Sequence, residues 1–134
     1  VERETFPKLL ESGARVTGFV DSQYWIDMGT PQSFIRASRD LILQPSLSPA
    51  TSLNRSHKYP DAIVESGATV HESAEIGGGS FISSGAIIGA QSNVQGSIIM
   101  DNATVGDNCR VENSYVGVGQ AVVDQSKVIS EILG

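Results

Sequence analysis

Apolar positions along the 134-residue chain follow two different periods, and the change falls near residue 62. Before it, apolar residues come in the short clusters expected of alternating helices and strands. Thr5-Phe6-Pro7 opens a helix predicted to run to about Ser12, with Pro7 in the tolerant first turn and Gly13 closing it. Residues 15–21 alternate, with Val16, Gly18 and Val20 on one side and Thr17 and Phe19 on the other, which predicts a strand. Tyr24-Trp25-Ile26 predicts a second strand, short and buried. Gly29 then permits a tight turn, Thr30 is a helix cap, and Pro31 suits the first helical position. From Pro31 to about Leu43, Phe34, Ala37 and Leu41 recur at helical intervals with Ile35 and Ile42 beside them. This predicts an amphipathic helix with Ser38 and Arg39 toward water.

Residues 44–61 hold Pro45, Pro49 and Pro60 among Ser, Thr and Asn, and read as a domain linker in which His57 is solvated. Beyond it the period becomes six. Aliphatics stand at Val64, Val70, Ile76, Ile82, Ile88 and Val94, and the series resumes at Ile99, Val105, Val111, Val116, Val122 and Val128. Two steps shorten to five, from Val94 to Ile99 and from Val111 to Val116, which puts Ile98 and Tyr115 where a small residue would otherwise stand. The bland account is a tightened corner with a bulkier filler. Ala68, Ala74, Ser80, Ala86, Ser92, Ala103, Cys109 and Ser126 lie four residues after the aliphatics, and Gly77, Gly89, Gly106 and Gly117 directly follow them. Six residues are too few for a helical repeat but suit one short strand and one corner. Three such units make a triangular turn of a solenoid, aliphatics inward and small residues at the corners.

The domains expected are therefore an α/β segment at 1–43, a linker at 44–61 and a β-solenoid at 62–134. Two short helices and one or two strands cannot cover Phe6, Leu9, Leu10, Phe19, Trp25 and Ile26, when each large side chain gains only ~1.5–3 kcal/mol by full burial. The covering strands are expected upstream, and the initial Val1 suggests a fragment.

Composition narrows the function. Hydrophobic residues make up 40% of the chain but aromatics only 6%, with 14 glycines, which favours an aliphatic core and many turns. No apolar run approaches the ~20 residues that cross a bilayer, and no basic-then-apolar leader opens the chain, so neither membrane insertion nor secretion is supported. The single cysteine, Cys109, has no internal disulfide partner and no metal-ligand spacing around it, which fits a reducing cytoplasm. A net charge of −6 without a basic cluster argues against a nucleic-acid partner.

Asp27, between Ile26 and the helix start signal, is the candidate for chemistry, because strand-to-helix junctions are where open α/β sheets carry their sites. The alternative is an aspartate that merely caps its turn. Residues 1–43, with Val-Glu-Arg-Glu-Thr-Phe-Pro-Lys-Leu-Leu-Glu, then Gly18-Phe19-Val20-Asp21 and Tyr24-Trp25-Ile26-Asp27-Met28-Gly29-Thr30-Pro31, resemble the last third of the catalytic domain of sugar-phosphate nucleotidyltransferases, nearest the mannose-1-phosphate guanylyltransferase branch. The repeat is similar to the hexapeptide family, which implies a left-handed parallel β-helix, a handedness the period itself does not supply. Its Ser97-Ile98-Ile99-Met100-Asp101-Asn102-Ala103 and Asn113-Ser114-Tyr115-Val116-Gly117 segments also resemble the solenoid of those pyrophosphorylases.

The resemblance implies transfer of a nucleotidyl group from a nucleoside triphosphate to a sugar 1-phosphate, here GTP and mannose 1-phosphate giving GDP-mannose and diphosphate. Asp27 would be one of two carboxylates on Mg2+, which offsets charge on the phosphates. Trp25 would line the sugar pocket, or, as for most strand tryptophans, belong to the core. The family's Gly-rich triphosphate loop and second aspartate have no counterpart, and Gly77-Gly78-Gly79 reads as a solenoid turn, so this chain alone is expected to be inactive. Glu2 and Glu4 are read as the exposed first turn of a helix. Two other readings stand beside this one. In the first, the repeat is a hexapeptide acyltransferase with His71 as general base; a surface histidine is the simpler account. In the second it is a non-catalytic assembly module, a homo-oligomer formed through β-helix edges.

Overall fold

The structure is a computed structural model that describes residues 1–48, 55, 56 and 58–134. Helix α1 (Thr5–Glu11) buries none of its residues and ends at Ser12 and the left-handed Gly13. Glu2 and Glu4 precede this helix instead of forming its first turn, since it starts at Thr5. Residues 15–21 and 24–26 do not form the two strands predicted. Phe19 is 93% exposed and Val20 90%, and neither segment pairs with a strand among the described residues. Alternation supplies a strand's face but not its partner, and a lone extended segment without one leaves its ladder unmade.

Helix α2 (Pro31–Leu43) forms where the sequence places it, with Pro31 first and Thr30 as its cap. Its inward face is rotated from the one predicted: Ile35, Ala37 and Ile42 are buried, whereas Phe34 is exposed. A 3-10 turn (Pro45–Leu47) follows. His57 and residues 49–54 of the predicted linker lie outside the described residues.

From there the chain winds as a coil. Strand β1 (Arg55–Ser56) pairs antiparallel with β2 (Tyr59–Val64), which begins inside the span predicted as linker. The first coil is β2, β3 (Thr69–Val70) and β4 (Glu75–Gly77). The second is β5 (Phe81–Ile82), β6 (Ile87–Ile88) and β7 (Asn93–Gln95). The third is β8 (Ile98–Ile99), β9 (Thr104–Val105) and β10 (Arg110–Glu112). The fourth is β11 (Tyr115–Val116), β12 (Ala121–Val122) and β13 (Lys127–Ile129), and β14 (Ile132–Leu133) starts another.

Each strand pairs in parallel with its equivalents one coil away, giving three sheets: β1-β2-β5-β8-β11-β14, β3-β6-β9-β12 and β4-β7-β10-β13. The result is a parallel β-solenoid of about four turns, consistent with the left-handed β-helix implied by the repeat. Its core is the predicted aliphatic series. Ile82, Ile88, Val94, Ile99, Val105, Val111 and Val116 are essentially inaccessible, stacked in three columns.

The first coil step takes 18 residues, Val64 to Ile82, and the next three take 17, since Ile82 pairs with Ile99, Ile99 with Val116 and Val116 with Leu133. The missing residue is always lost at the same corner, so a third five-residue step, Val128 to Leu133, joins the two read from the sequence. That corner is turned by residues at positive φ: Gly96, Asn113 and Ser130. Ile98 and Tyr115 are not its fillers. They lie on β8 and β11, one residue before the inward aliphatic, and face outward. The small corner residues are Ser97 and Ser114, which with Ser80 are fully buried and hydrogen-bonded in series: the Ser97 amide donates to Ser80 Oγ, and the Ser114 amide to Ser97 Oγ, at 3.2 and 3.1 Å.

The outward residues of the first sheet, Ile63, Phe81, Ile98, Tyr115 and Ile132, form an apolar column, and α2 lies along it with its N-terminus toward the later coils. Arg39, predicted to face water, instead lies on the shortened corner: its Nη1 donates to Asn113 Oδ1 at 3.2 Å, and its backbone covers Gly79. A long side chain can lay its methylenes on a surface while its guanidinium stays polar-bonded. Helical spacing alone cannot foresee that.

Candidate functional site

The turn before α2 is built from local hydrogen bonds. Asp27 Oδ1 accepts from the Gly29 amide at 3.0 Å, and Thr30 Oγ1 accepts from the Ser33 amide at 3.2 Å. A Cβ at Gly29 would lie 3.3 Å from Asp27 Oδ1, so the aspartate folds tightly over this residue. Asp27 does cap its turn, and it is also exposed, with its carboxylate at the surface. Trp25 is 80% exposed, as expected of a side chain whose covering strands are not among the described residues.

Directly beyond Asp27, Met28, Gly29, Thr30, Pro31 and Phe34 face Tyr115 and Ile132 across an open groove of about 400 Å³. The solenoid thus supplies one wall beside the candidate turn, a contribution the sequence reading missed. The five-residue steps are its visible signal, because they bring a large outward residue to the sheet where a corner residue is expected. Tyr24 fixes the other side of the loop: its hydroxyl donates to Asp40 Oδ2 at 3.0 Å. Partial burial, then this bond to a carboxylate, raises the Tyr24 pKa.

One carboxylate can be one ligand of a hard cation but not a whole site. No group of three or more His, Cys, Asp and Glu is placed to hold a metal among the described residues. His71 Nδ1 lies 2.9 Å from Ser73 Oγ and accepts from the Ser73 amide at 3.2 Å, which closes a local turn. Cys109 is buried, its thiol directed at the Val123 carbonyl at 3.1 Å. Gly78 and Gly79 take positive φ at the corner after β4, as a solenoid turn should. No helix of the described residues is long and apolar enough to cross a membrane.

The fold and the site together define a short-strand parallel solenoid that carries a capped helix and an exposed aspartate turn. The family model described as the GMPPB C-terminal domain matches residues 59–134, from the first residue of β2 through β14, and the chain belongs to that family. The mannose-1-phosphate guanylyltransferase of Mycobacterium tuberculosis is 41% identical over 113 residues, covering 84% of this chain and 30% of that protein. A glucose-1-phosphate adenylyltransferase of Desulforamulus reducens is 28% identical over 94% of this chain and 35% of its own length. Another, from Clostridium kluyveri, is 30% identical over 73% of this chain and 29% of its own. The chain spans about a third of the length of the curated relatives it matches.

Proposed function

We propose that the chain is the C-terminal part of an enzyme that makes GDP-mannose and diphosphate from mannose 1-phosphate and GTP, and that it is inactive alone. The observation that carries this is the 41% identity to the mycobacterial guanylyltransferase across most of the chain. In this reading Asp27 is one carboxylate ligand of Mg2+, the other ligands coming from phosphate oxygens, water and residues outside this chain. When bound, such an ion offsets charge on the reacting phosphates and aligns them. This chain's own task is positional. The Asp27–Gly29 bond and the Thr30 cap hold the carboxylate at the end of α2, and the solenoid holds α2. Trp25, exposed two residues before Asp27, faces the sugar. The complete enzyme works in the cytoplasm as a homo-oligomer assembled through its β-helices.

A second reading, adenylyl transfer to glucose 1-phosphate, is favoured by the adenylyltransferases among the relatives. The role proposed for this chain is tested by fusing it to the remaining two thirds of the mycobacterial enzyme in place of that enzyme's own C-terminal third. The fusion is expected to release diphosphate from GTP with mannose 1-phosphate, and the 134-residue chain alone to release none. A chain active by itself, or a folded fusion that releases no diphosphate, contradicts the proposal.

A further inference from the structure

Asp27 stands midway between two anchors, Tyr24 before it and Thr30 after it. The later anchor is local, since Thr30 caps α2 through the Ser33 amide. The earlier one reaches into the second half of α2, where Asp40 Oδ2 accepts from the Tyr24 hydroxyl at 3.0 Å. Among the described residues, no other hydrogen bond runs from residues 15–29 to the body of α2 or to the solenoid. Packing adds little, because Phe19, Val20, Trp25 and Met28 are all exposed. A segment with so few buried contacts takes its position from its fixed points.

Asp40 is a firm acceptor. Its side chain is only 15% exposed, with Arg36 Nε 3.7 Å from Oδ2 and Arg39 Nε 4.0 Å from Oδ1. Arg39 also donates to Asn113 on the solenoid corner, so the carboxylate that receives the phenol is itself held in place. A hydroxyl donating to a carboxylate makes one of the stronger kinds of hydrogen bond. The Asp27–Gly29 bond and the Thr30 cap fix the turn only from Asp27 onward; Tyr24 fixes the chain that enters it. We propose that Tyr24 is a positioning residue: its bond to Asp40 sets where the Asp27 carboxylate stands relative to α2, and through that how tightly the carboxylate takes Mg2+. The inference rests on the reading of Asp27 as a magnesium ligand. A ligand already held in place loses less freedom when the ion arrives, which is how a neighbouring hydrogen bond raises affinity without touching the metal.

The test has two arms. In the 134-residue chain without metal, amide hydrogen exchange at Gly29 reads the Asp27–Gly29 bond, and exchange at Ser33 reads the Thr30 cap. Tyr24→Phe removes the hydroxyl and keeps the ring; it should speed exchange at Gly29 at least about fivefold and leave Ser33 unchanged, whereas a general loosening of α2 would quicken both. Asp40→Ala should match Tyr24→Phe, the two together should do no more than either alone, and Asp40→Asn, which keeps an acceptor oxygen, should retain most of the protection. In the fusion with the mycobacterial catalytic portion, Tyr24→Phe should raise the magnesium concentration for half-maximal rate about tenfold, the scale for groups that orient a metal ligand, with the rate at saturating magnesium within about twofold of the parent's. Gly29 exchange equal to the parent's in Tyr24→Phe, or Gly29 and Ser33 quickened alike, overturns the proposal. Asp27→Asn in the same fusion separates the two failures. If it alters the magnesium dependence and Tyr24→Phe does not, the positioning role falls and the ligand reading stands; if Asp27→Asn alters nothing, the ligand reading falls and takes the role of Tyr24 in magnesium binding with it.

Discussion

At Gly79 two constraints meet in one residue. Its φ is +81°, and a Cβ there would stand 2.4 Å from Arg39 Cγ and 2.9 Å from the Arg39 carbonyl oxygen. The obstacle includes backbone, so Gly79→Ala must either push α2 off its corner or strain both elements, at about 2–5 kcal/mol. Gly119, at φ +67°, has open space where a Cβ would stand, with nothing within 4 Å, and Gly119→Ala should cost only the backbone term of about 1–2 kcal/mol. Urea unfolding of the two variants checks the difference; equal losses would mean that α2 does not press on the corner. Cys109 is a gentler case. Ser92 holds the equivalent place one coil earlier and donates to the Gly106 carbonyl at 2.6 Å, much as the Cys109 thiol points to Val123. Cys109→Ser should therefore stay within about 1 kcal/mol of the parent. That Gly78 and Gly79 turn the chain was legible in the sequence, although Gly77 ends strand β4. That Arg39 lies on it was not, because an arginine on a helix reads as solvent-facing until the surface opposite is known.

Among elements, the shortened corner does the most. Its buried serines link coil to coil, and Ser97 holds the middle of the series, donating to the Gln95 carbonyl at 3.0 Å and accepting from the Ser114 amide at 3.1 Å. Ser97→Ala leaves that buried amide without its acceptor and should cost about 1–3 kcal/mol in thermal or chemical unfolding. No measurable loss would show that water replaces the hydroxyl. The strands of the solenoid were readable because each six-residue unit carries its own inward aliphatic and its partner is the next copy of itself. The predicted strands at 15–21 and 24–26 failed for the opposite reason: their pattern was right for a buried strand, but no described strand lies beside them. Helix α2 was placed correctly by Thr30 and Pro31. Its buried face was not, because Phe34 looked like core while the apolar column of the solenoid selects Ile35 and Ile42.

At the scale of the molecule, coil length is the quantity that stability depends on. Removing residues 100–116, one 17-residue coil by the pairing of Ile99 with Val116, joins Ile99 to Gly117 and preserves every inward position. That deletion should give a folded, shorter and less stable solenoid by circular dichroism. Removing residues 100–115 instead puts two inward aliphatics side by side, reverses the faces that follow and should abolish cooperative folding. One face of the prism carries α2, and α2 begins at the Asp27 turn, so the solenoid serves as the mount for that turn. The turn at Asp27 was legible from its neighbours, whereas its setting near Tyr115 and Ile132 came from residues 88 and more positions away, which no local pattern connects. The most direct measurement is steady-state diphosphate release by the fusion with the mycobacterial catalytic portion, comparing Asp27 with Asp27→Asn across a magnesium titration. The account predicts a loss of at least about 100-fold in kcat with an unchanged thermal midpoint, on the scale of removing one electrostatic stabiliser. An Asp27→Asn fusion that keeps its rate and its magnesium dependence would contradict it.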